Sequence, residues 1–380
     1  MTFDDPKDAE EWRLRFARDP RLALAMLTAT QAQAGGRVDD VLTVDRMVAQ
    51  HIAGLSGIEA RTIADYERDA RLHISPELGQ LPAVALADRE VTAAWVRTLQ
   101  ETLSPKTIAN IHALLSAACA TAMDAGRLPS NPVRGLRLPR GIPEEMVFLT
   151  QGQVAELLAE TPAHWRPLVA TLVGSGIRWG EAAALTVADV DLDAGTLRVL
   201  KAVGRDAASR AHVKATKTRR GVRTVRIPDV VVQQLRPLVT GRAATDPLFT
   251  TARGGRRVAH NNFHQRVWKP ALRRLATAGV DELGVVLRRA WEVEPRIHDL
   301  RHTYASWALQ SGVPLIELQR QMGHESITTT ADRYGHLAPG AGAATAAAIG
   351  SRLSAALHGI GHLRQVQGGQ AREVDAETGS

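Results

Sequence analysis

The sequence predicts a mainly α protein with a small β-sheet (α+β), and three observations carry that expectation. From Val41 to Leu136, apolar residues recur with the helical period near 3.6. From Leu185 to Ile227 the pattern changes to short apolar alternations broken by turn residues. From Val230 onward the helical period returns and runs to Tyr334. With 380 residues, of which 44% are hydrophobic, the chain can bury two or three separate cores.

The elements follow in order. Residues 1–40 read as a mixed-charge N-terminal extension ending in Ala34-Gly35-Gly36. Four stripes then suggest a helical domain over 41–136: Leu42, Val44, Met47, Val48 and Ile52; Ile63, Tyr66, Ala70 and Leu72; Val91, Ala94, Trp95, Leu99 and Leu103; Ile108, Ile111, Leu114, Leu115 and Ala118. Ser104-Pro105 places a capping serine before a proline at the first helical position. Residues 137–145 are rich in Pro, Gly and Arg and read as a linker to a larger domain over 146–340. Thr150 and Gln153 have capping-box spacing. Leu185–Leu200 reads as a hairpin turning at Asp193-Ala194-Gly195, and Val213–Ile227 as a second strand pair turning near Gly221. Helices are expected at Val230–Val239, Asn261–Ala276, His298–Ser311, Pro314–Met322 and Thr328–Tyr334. Residues 341–380 read as an Ala-rich helix and a polar tail, joined through Pro339-Gly340-Ala341-Gly342.

Composition narrows the function. One cysteine, Cys119, excludes an intrachain disulfide and a thiolate zinc cluster. Met1–Glu11 is acidic and polar, unlike a signal peptide, and no apolar run approaches the ~18 residues of a membrane span. The expected location is therefore cytoplasmic, with no membrane partner. The net charge of +7 is unevenly spread. Lys201–Arg226 holds nine Lys/Arg against one acid, and Thr251–Arg274 holds seven against none. Lys214, Arg219, Arg220, Arg223, Arg256, Arg257, Arg266 and Lys269 are thus candidate contacts to a polyanion backbone. The alternative is a solvated basic face.

Phosphate-loop and nucleophile-elbow signatures are missing from the sequence. His298-Asp299-Leu300-Arg301-His302 admits two readings. His298 and His302, four apart, could share a zinc ion. Alternatively His298 and Arg301, three apart on one helical face, could meet a phosphate, with Arg supplying a planar fork of donors and His a proton near neutral pH. Gly176-Ile177-Arg178-Trp179-Gly180-Glu181 sets another arginine between glycines, with Glu181 placed to orient it. Lys217 lies near a strand turn, where it can project into a groove. His324 follows Met322-Gly323, and Tyr334, one of three tyrosines, comes ten residues later among His, Thr and Arg neighbours. A phenol has a pKa of ~10 and needs cationic help to act as a nucleophile.

Taken together these residues resemble the tyrosine recombinase, or phage integrase, family. Arg178 and Glu181 fall in the family's G-[LIM]-R-x-G-E box. Lys217 falls in its K-T hairpin, which here runs on to Arg223, Arg226 and Pro228. His298 and Arg301 fall in the H-x-L-R-H box, His324 in the L-G-H box with Met322 where Leu is usual, and Tyr334 in the T-x-x-x-Y-x-H end. The resemblance covers roughly 146–340, and the 41–136 block is similar to the family's SAM-like core-binding domain. It implies a site-specific recombinase that cuts and rejoins double-stranded DNA through a 3′-phosphotyrosine at Tyr334, for integration or excision of a mobile element. Arg178 and Arg301 would hold the scissile phosphate, Lys217 would protonate the leaving 5′-oxygen, and Glu181 would buttress Arg178. His298 would serve the nucleophile's proton or a phosphate oxygen, and His324 would donate a further hydrogen bond. The same resemblance implies a tetramer on paired sites, possible DNA-bending or directionality partners, and no ATP, metal or other cofactor. A type IB topoisomerase-like enzyme and a catalytically silent DNA-binding regulator are the alternatives. The segment Gly279–Pro295 is longer than the family's usual link.

Overall fold

The computed structural model describes residues 41–141, 145–206, 210–215, 221–253, 255–280, 286–337 and 349. The expected N-terminal extension and nearly all of the expected tail lie outside these residues. The chain divides into two compact units, Met1–Glu145 with Arg205–His212, and Met146–Gly204 with Val213–Ser380.

The first unit is helical among its described residues up to Asp124, with helices Val44–Gly54, Ala60–Asp69, Arg89–Thr102 and Pro105–Asp124. Local chemistry starts them. The Thr43 hydroxyl accepts the Arg46 amide at 3.3 Å, and the Ser104 hydroxyl accepts that of Thr107 at 3.3 Å. Their apolar stripes meet in one core of Met47, Val48, Ile74, Leu86, Trp95, Ile108, Ile111 and Leu115. Burying each large aliphatic side chain there contributes about 1.5–3 kcal/mol. One stripe departs from expectation. Helix Ala60–Asp69 runs into a π turn, Ala70–Ile74, which shifts the phase. Leu72 is therefore exposed and Ile74 is buried in its place. The indole of Trp95 donates to the His73 carbonyl of that turn at 2.7 Å.

The second unit opens with the expected capping box. The Thr150 amide donates to the Gln153 side chain at 2.9 Å, and the Gln153 amide donates to the Thr150 hydroxyl at 3.2 Å. Helices Gln151–Glu160, Arg166–Ser175 and Trp179–Ala184 lead to β1 (Val190–Asp191) and β2 (Thr196–Val199), an antiparallel pair around a left-handed Gly195. The next step differs from the sequence expectation. Strand β5 (Arg223–Arg226) pairs with β2, Leu197 opposite Val225, giving a three-stranded order β1-β2-β5. Strand β4 (Ala211–Ala215), expected to pair with this segment, pairs instead with β3 (Lys201–Arg205). Burial explains the choice. Leu197, Val199 and Val225 are all buried and can share one core face only if β5 joins β2.

Helices Asp229–Val239, Asp299–Gln310, Leu315–Met322 and Ile327–Tyr334 match expectation within a residue or two. The expected Asn261–Ala276 helix contains a π turn, His264–Trp268, between His260–Phe263 and Lys269–Leu275. Leu168, Val169, Leu172, Leu197, Val225, Leu235, Trp268 and Leu300 form the main core of the unit. Arg288, in the long Gly279–Pro295 segment, closes the end of this helix. Arg288 donates to the Leu275, Arg274 and Thr277 carbonyls at 2.8–2.9 Å, occupying acceptors that a helix end leaves unpaired. Trp291 donates to Glu156 at 2.6 Å. Among the described residues, no helix is long and apolar enough to cross a membrane.

Gly176, which ends helix Arg166–Ser175 at φ 64°, has a second constraint beyond its left-handed backbone. A Cβ there would stand 2.3 Å from the Tyr304 ring. Gly126, at φ 70°, faces open space. Gly126→Ala should cost about 1 kcal/mol, and Gly176→Ala clearly more than 2 kcal/mol, because the clash adds to the same backbone strain. Urea denaturation of both variants measures the difference, and equal losses would remove the packing role of Gly176.

Candidate active site

The site is built around charges taken out of water. Arg178 caps the short helix Trp179–Ala184, and Glu181 sits in its first turn. The Glu181 carboxylate accepts the Arg178 backbone amide at 2.8 Å and its guanidinium at 3.0 Å. Arg223 reaches in from β5 and grips the same carboxylate through two nitrogens, at 2.9 and 3.1 Å. Its Nε donates to the Gln321 carbonyl at 2.7 Å. Burial pushes the Glu181 carboxyl up, but the hydrogen bonds and charges of Arg223 and Arg178 outweigh it, leaving a net shift below the usual value. Arg178 keeps a side chain 43% exposed, so part of its fork remains free for a ligand.

Arg301 lies in the first turn of helix Asp299–Gln310 and is only 2% exposed. It donates to the Gly176 carbonyl at 2.5 Å and to the Met322 carbonyl at 2.7 Å. Both carbonyls are aimed by left-handed glycines, Gly176 itself and Gly323. Gly323 must also lack a side chain, since a Cβ would lie 2.8 Å from Arg223 Nη1. Burial and the neighbouring Arg178 charge pull the Arg301 guanidinium down to about 9, still cationic at neutral pH.

Three histidines and a tyrosine complete the group. Tyr334 ends helix Ile327–Tyr334 and is fully buried. Its hydroxyl lies 2.6 Å from His302 Nδ1. The His324 ring lies parallel to the Tyr334 ring with centroids 6.3 Å apart, and its Nδ1 is 2.8 Å from the Thr330 hydroxyl. The His298 ring meets His302 edge-on at 4.9 Å. Desolvation, then the Arg301 charge, lowers His298 to about 4 and His324 to about 3. Desolvation and His298 lower His302 to about 4. All three imidazoles are therefore neutral at pH 7. Desolvation raises the Tyr334 phenol, with Arg301, Arg333 and Arg178 pulling against it. Such an arrangement can hold an anionic group between Arg178 and Arg301 and present a phenol to it.

A profile of the phage integrase family matches residues 147–340, about half of the chain and all of these groups. This chain belongs to the phage integrase family, the tyrosine recombinases. It is 24% identical over 297 residues to the tyrosine recombinase XerC of Pelobacter propionicus, covering 76% of this chain and 88% of that protein. It is 26% identical over 337 residues to the integrase of Mycobacterium phage L5, covering 85% of this chain and 83% of that one. The fold resembles a Tn1549 transposon integrase solved with circular intermediate DNA, with a TM-score of 0.67 and 22% identity over 77% of this chain and 95% of that one. It also resembles a lambda integrase dimer bound to a COC′ core site, with a TM-score of 0.55 and 17% identity over 83% of this chain and 87% of that one.

In this integrase relative, the structure gathers Arg178, Glu181, His298, Arg301, His324 and Tyr334 as the sequence expected. Lys217, Arg219 and Arg220 lie outside the described residues. Two expected backbone contacts are placed otherwise. Arg223 is committed to Glu181 and the Gln321 carbonyl, because its position on β5 points inward with Val225. Arg257 donates to the Ala183, Ala184 and Leu185 carbonyls at 2.8–3.2 Å, closing the end of helix Trp179–Ala184. Arg256 and Arg266 are exposed, while Lys214 and Lys269 are half-buried. Among the described residues, no group of three or more His, Cys, Asp or Glu is placed to hold a metal, so the His298/His302 zinc reading has no third ligand. Sequence reasoning missed His302 as a partner of Tyr334 and Arg223 as a partner of Glu181.

Glu181→Gln leaves two guanidiniums around a neutral amide and should destabilise by about 3 kcal/mol at pH 7. The pH dependence has a definite sign. A carboxyl lowered on folding contributes stability that is present above its unfolded pKa of about 4.3 and is lost as pH falls through the lower folded value. Below pH ~4, denaturation midpoints of the wild type and Glu181→Gln should therefore converge. A gap that stays constant down to pH 2 would mean that the pairing is not ionic.

Proposed function

We propose that this protein is a DNA site-specific recombinase whose Tyr334 attacks the scissile phosphate. The reading is supported most directly by one observation: a phenol lies within a site that also holds the paired guanidiniums of Arg178 and Arg301, on a fold shared with DNA-bound integrases. Arg178, half-open, and Arg301, buried, take the non-bridging oxygens as charge builds on them. Lys217 gives a proton to the leaving 5′-oxygen. Glu181 and Arg223 hold Arg178 in place, His324 donates to a phosphate oxygen, and His298 faces the same phosphate. The product is a 3′-phosphotyrosine and a free 5′-hydroxyl. The phosphotyrosyl bond keeps the energy of the broken bond, so rejoining needs no ATP, and the positive charge comes from arginine and lysine instead of a metal. Tyr334 is fully buried, so its hydroxyl must become accessible for a docked phosphate to meet it.

The same reading assigns residues 41–136 to core DNA binding and 146–340 to catalysis. Arg256, Arg266, Lys214 and Lys269, with Arg219 and Arg220, supply phosphate contacts that give affinity and register, while base-edge contacts choose the site. The assembly is a tetramer on two duplexes, and the biological role is integration or excision of a mobile element in the bacterial cytoplasm.

A nicked suicide duplex tests the reading, because the cut strand diffuses away and traps the covalent intermediate. Wild type should form a protein–DNA adduct, and Tyr334→Phe should bind the same DNA but form none. An adduct in Tyr334→Phe would move the nucleophile elsewhere. Adduct formation should also be unchanged in excess EDTA; loss of activity with restoration by zinc would revive the metal reading.

A further inference from the structure

The proposed reaction leaves the phenol proton of Tyr334 without a destination. His298, expected to serve it, meets the edge of the His302 ring, whereas His302 Nδ1 lies 2.6 Å from the Tyr334 oxygen. That distance is short for a neutral hydrogen bond and fits a phenol donating to an imidazole lone pair. The other side of the ring decides which nitrogen carries the hydrogen. His302 Nε2 stands 3.9 Å from Asp299 Oδ1. The Asp299 carboxylate is itself fixed by Arg296, through its backbone amide at 2.7 Å and its guanidinium at 2.9 and 3.2 Å. At that distance the contact is electrostatic and not a hydrogen bond, and the carboxylate's charge favours the Nε2–H tautomer, leaving Nδ1 open to the phenol. Asp299, His302 and Tyr334 thus stand in the order carboxylate, imidazole, nucleophile, and His302 and Asp299 are both buried.

We propose that His302 is the catalytic base for Tyr334, oriented by Asp299. In the forward step the phenol proton passes to His302 Nδ1, the Tyr334 oxygen forms its bond to phosphorus, and the phosphorus–O5′ bond breaks. The 5′-oxygen leaves with a proton from Lys217. The imidazolium so formed lies beside the Asp299 carboxylate. In rejoining, Lys217 takes back the proton of the 5′-hydroxyl as it attacks, the phosphotyrosyl bond breaks, and His302 returns the phenol proton to Tyr334. No co-reactant is consumed. His302 is neutral at pH 7, so one ring nitrogen keeps a lone pair that can take the proton.

This inference rests on the recombinase reading, and one experiment separates the two. His302→Asn puts an amide oxygen near the place of Nδ1, so it can accept the phenol hydrogen bond but cannot take the proton. Single-turnover cleavage of the nicked suicide duplex is followed across pH for the full-length wild type, His302→Asn and His302→Ala. If the wild type forms no adduct, the recombinase reading fails. With a wild-type adduct in hand, His302→Asn should bind the duplex normally and cleave about 100-fold or more slowly at pH 7. Its rate should rise about tenfold per pH unit as hydroxide replaces the missing base, and added imidazole should restore cleavage to His302→Ala. Cleavage by His302→Asn within threefold of wild type, or a slow rate that neither climbs with pH nor responds to imidazole, would overturn the assignment while leaving the recombinase reading intact. A measurement on the unaltered protein guards against misfolded variants. Nitrogen-15 NMR should show His302 as the Nε2–H tautomer, and an Nδ1–H tautomer would equally overturn it.

Discussion

The buried Glu181 carboxylate is the interaction on which the rest of the site depends. Three guanidiniums, Arg178, Arg223 and Arg301, crowd one region of the second unit, and like charges in a dry setting repel strongly. Glu181 answers two of them with both oxygens. The third, Arg301, donates its hydrogen bonds among the described residues to backbone carbonyls, those of Gly176 and Met322, with the Glu181 charge acting on it from further off. This division explains two glycines at once. Left-handed turns at Gly176 and Gly323 aim carbonyls at Arg301, and the absence of Cβ atoms leaves room for Tyr304 and Arg223. The result is a cluster with more positive than negative charge, a poor solution for stability alone but a good one for an incoming anion.

The same excess of charge sets the chemistry of the ring systems. Arg301 and Arg178 stand close enough to His298 and His324 to help burial keep them uncharged. Neutral imidazoles can donate from one nitrogen and accept at the other, which a cationic ring cannot do. The phenol of Tyr334 is subject to opposed influences, burial holding its proton on and the arginines drawing it off. A docked phosphate would offset part of the arginine charge, so proton transfer needs a defined acceptor, the role proposed for His302, whose Nδ1 lies 2.6 Å from the phenol oxygen.

Much of this was legible in the sequence where the signals were local. The capping box at Thr150, the proline start at Pro105 and the helices carrying Arg301 and Tyr334 are set by neighbours a few residues away. Strand pairing was not, because the alternation in Arg223–Ile227 fits either of two partners, and only the shared core of Leu197 and Val225 selects β2. Charge counting also failed at Arg223 and Arg257, since it cannot tell a guanidinium in solvent from one that satisfies a carboxylate or a helix end. A signal was present for Arg223: it is in phase with Val225 and Ile227, on the inward face of its strand. His302 likewise stands in phase with buried Ser306 and Leu309. Its spacing from His298 drew attention to a metal, whereas its partner, Tyr334, is 32 residues away in sequence.

If the arginine cluster serves to meet charge on a phosphate, the half-exposed Arg178 is where that role should be felt. The decisive measurement is single-turnover cleavage by wild type and Arg178→Ala on two suicide duplexes, one normal and one with a neutral methylphosphonate at the scissile position. If Arg178 neutralises a non-bridging oxygen, its loss should slow cleavage of the normal duplex by about 100-fold or more and have little effect on the methylphosphonate. An equal loss on both duplexes would make Arg178 a structural support for the site instead of a partner of the phosphate.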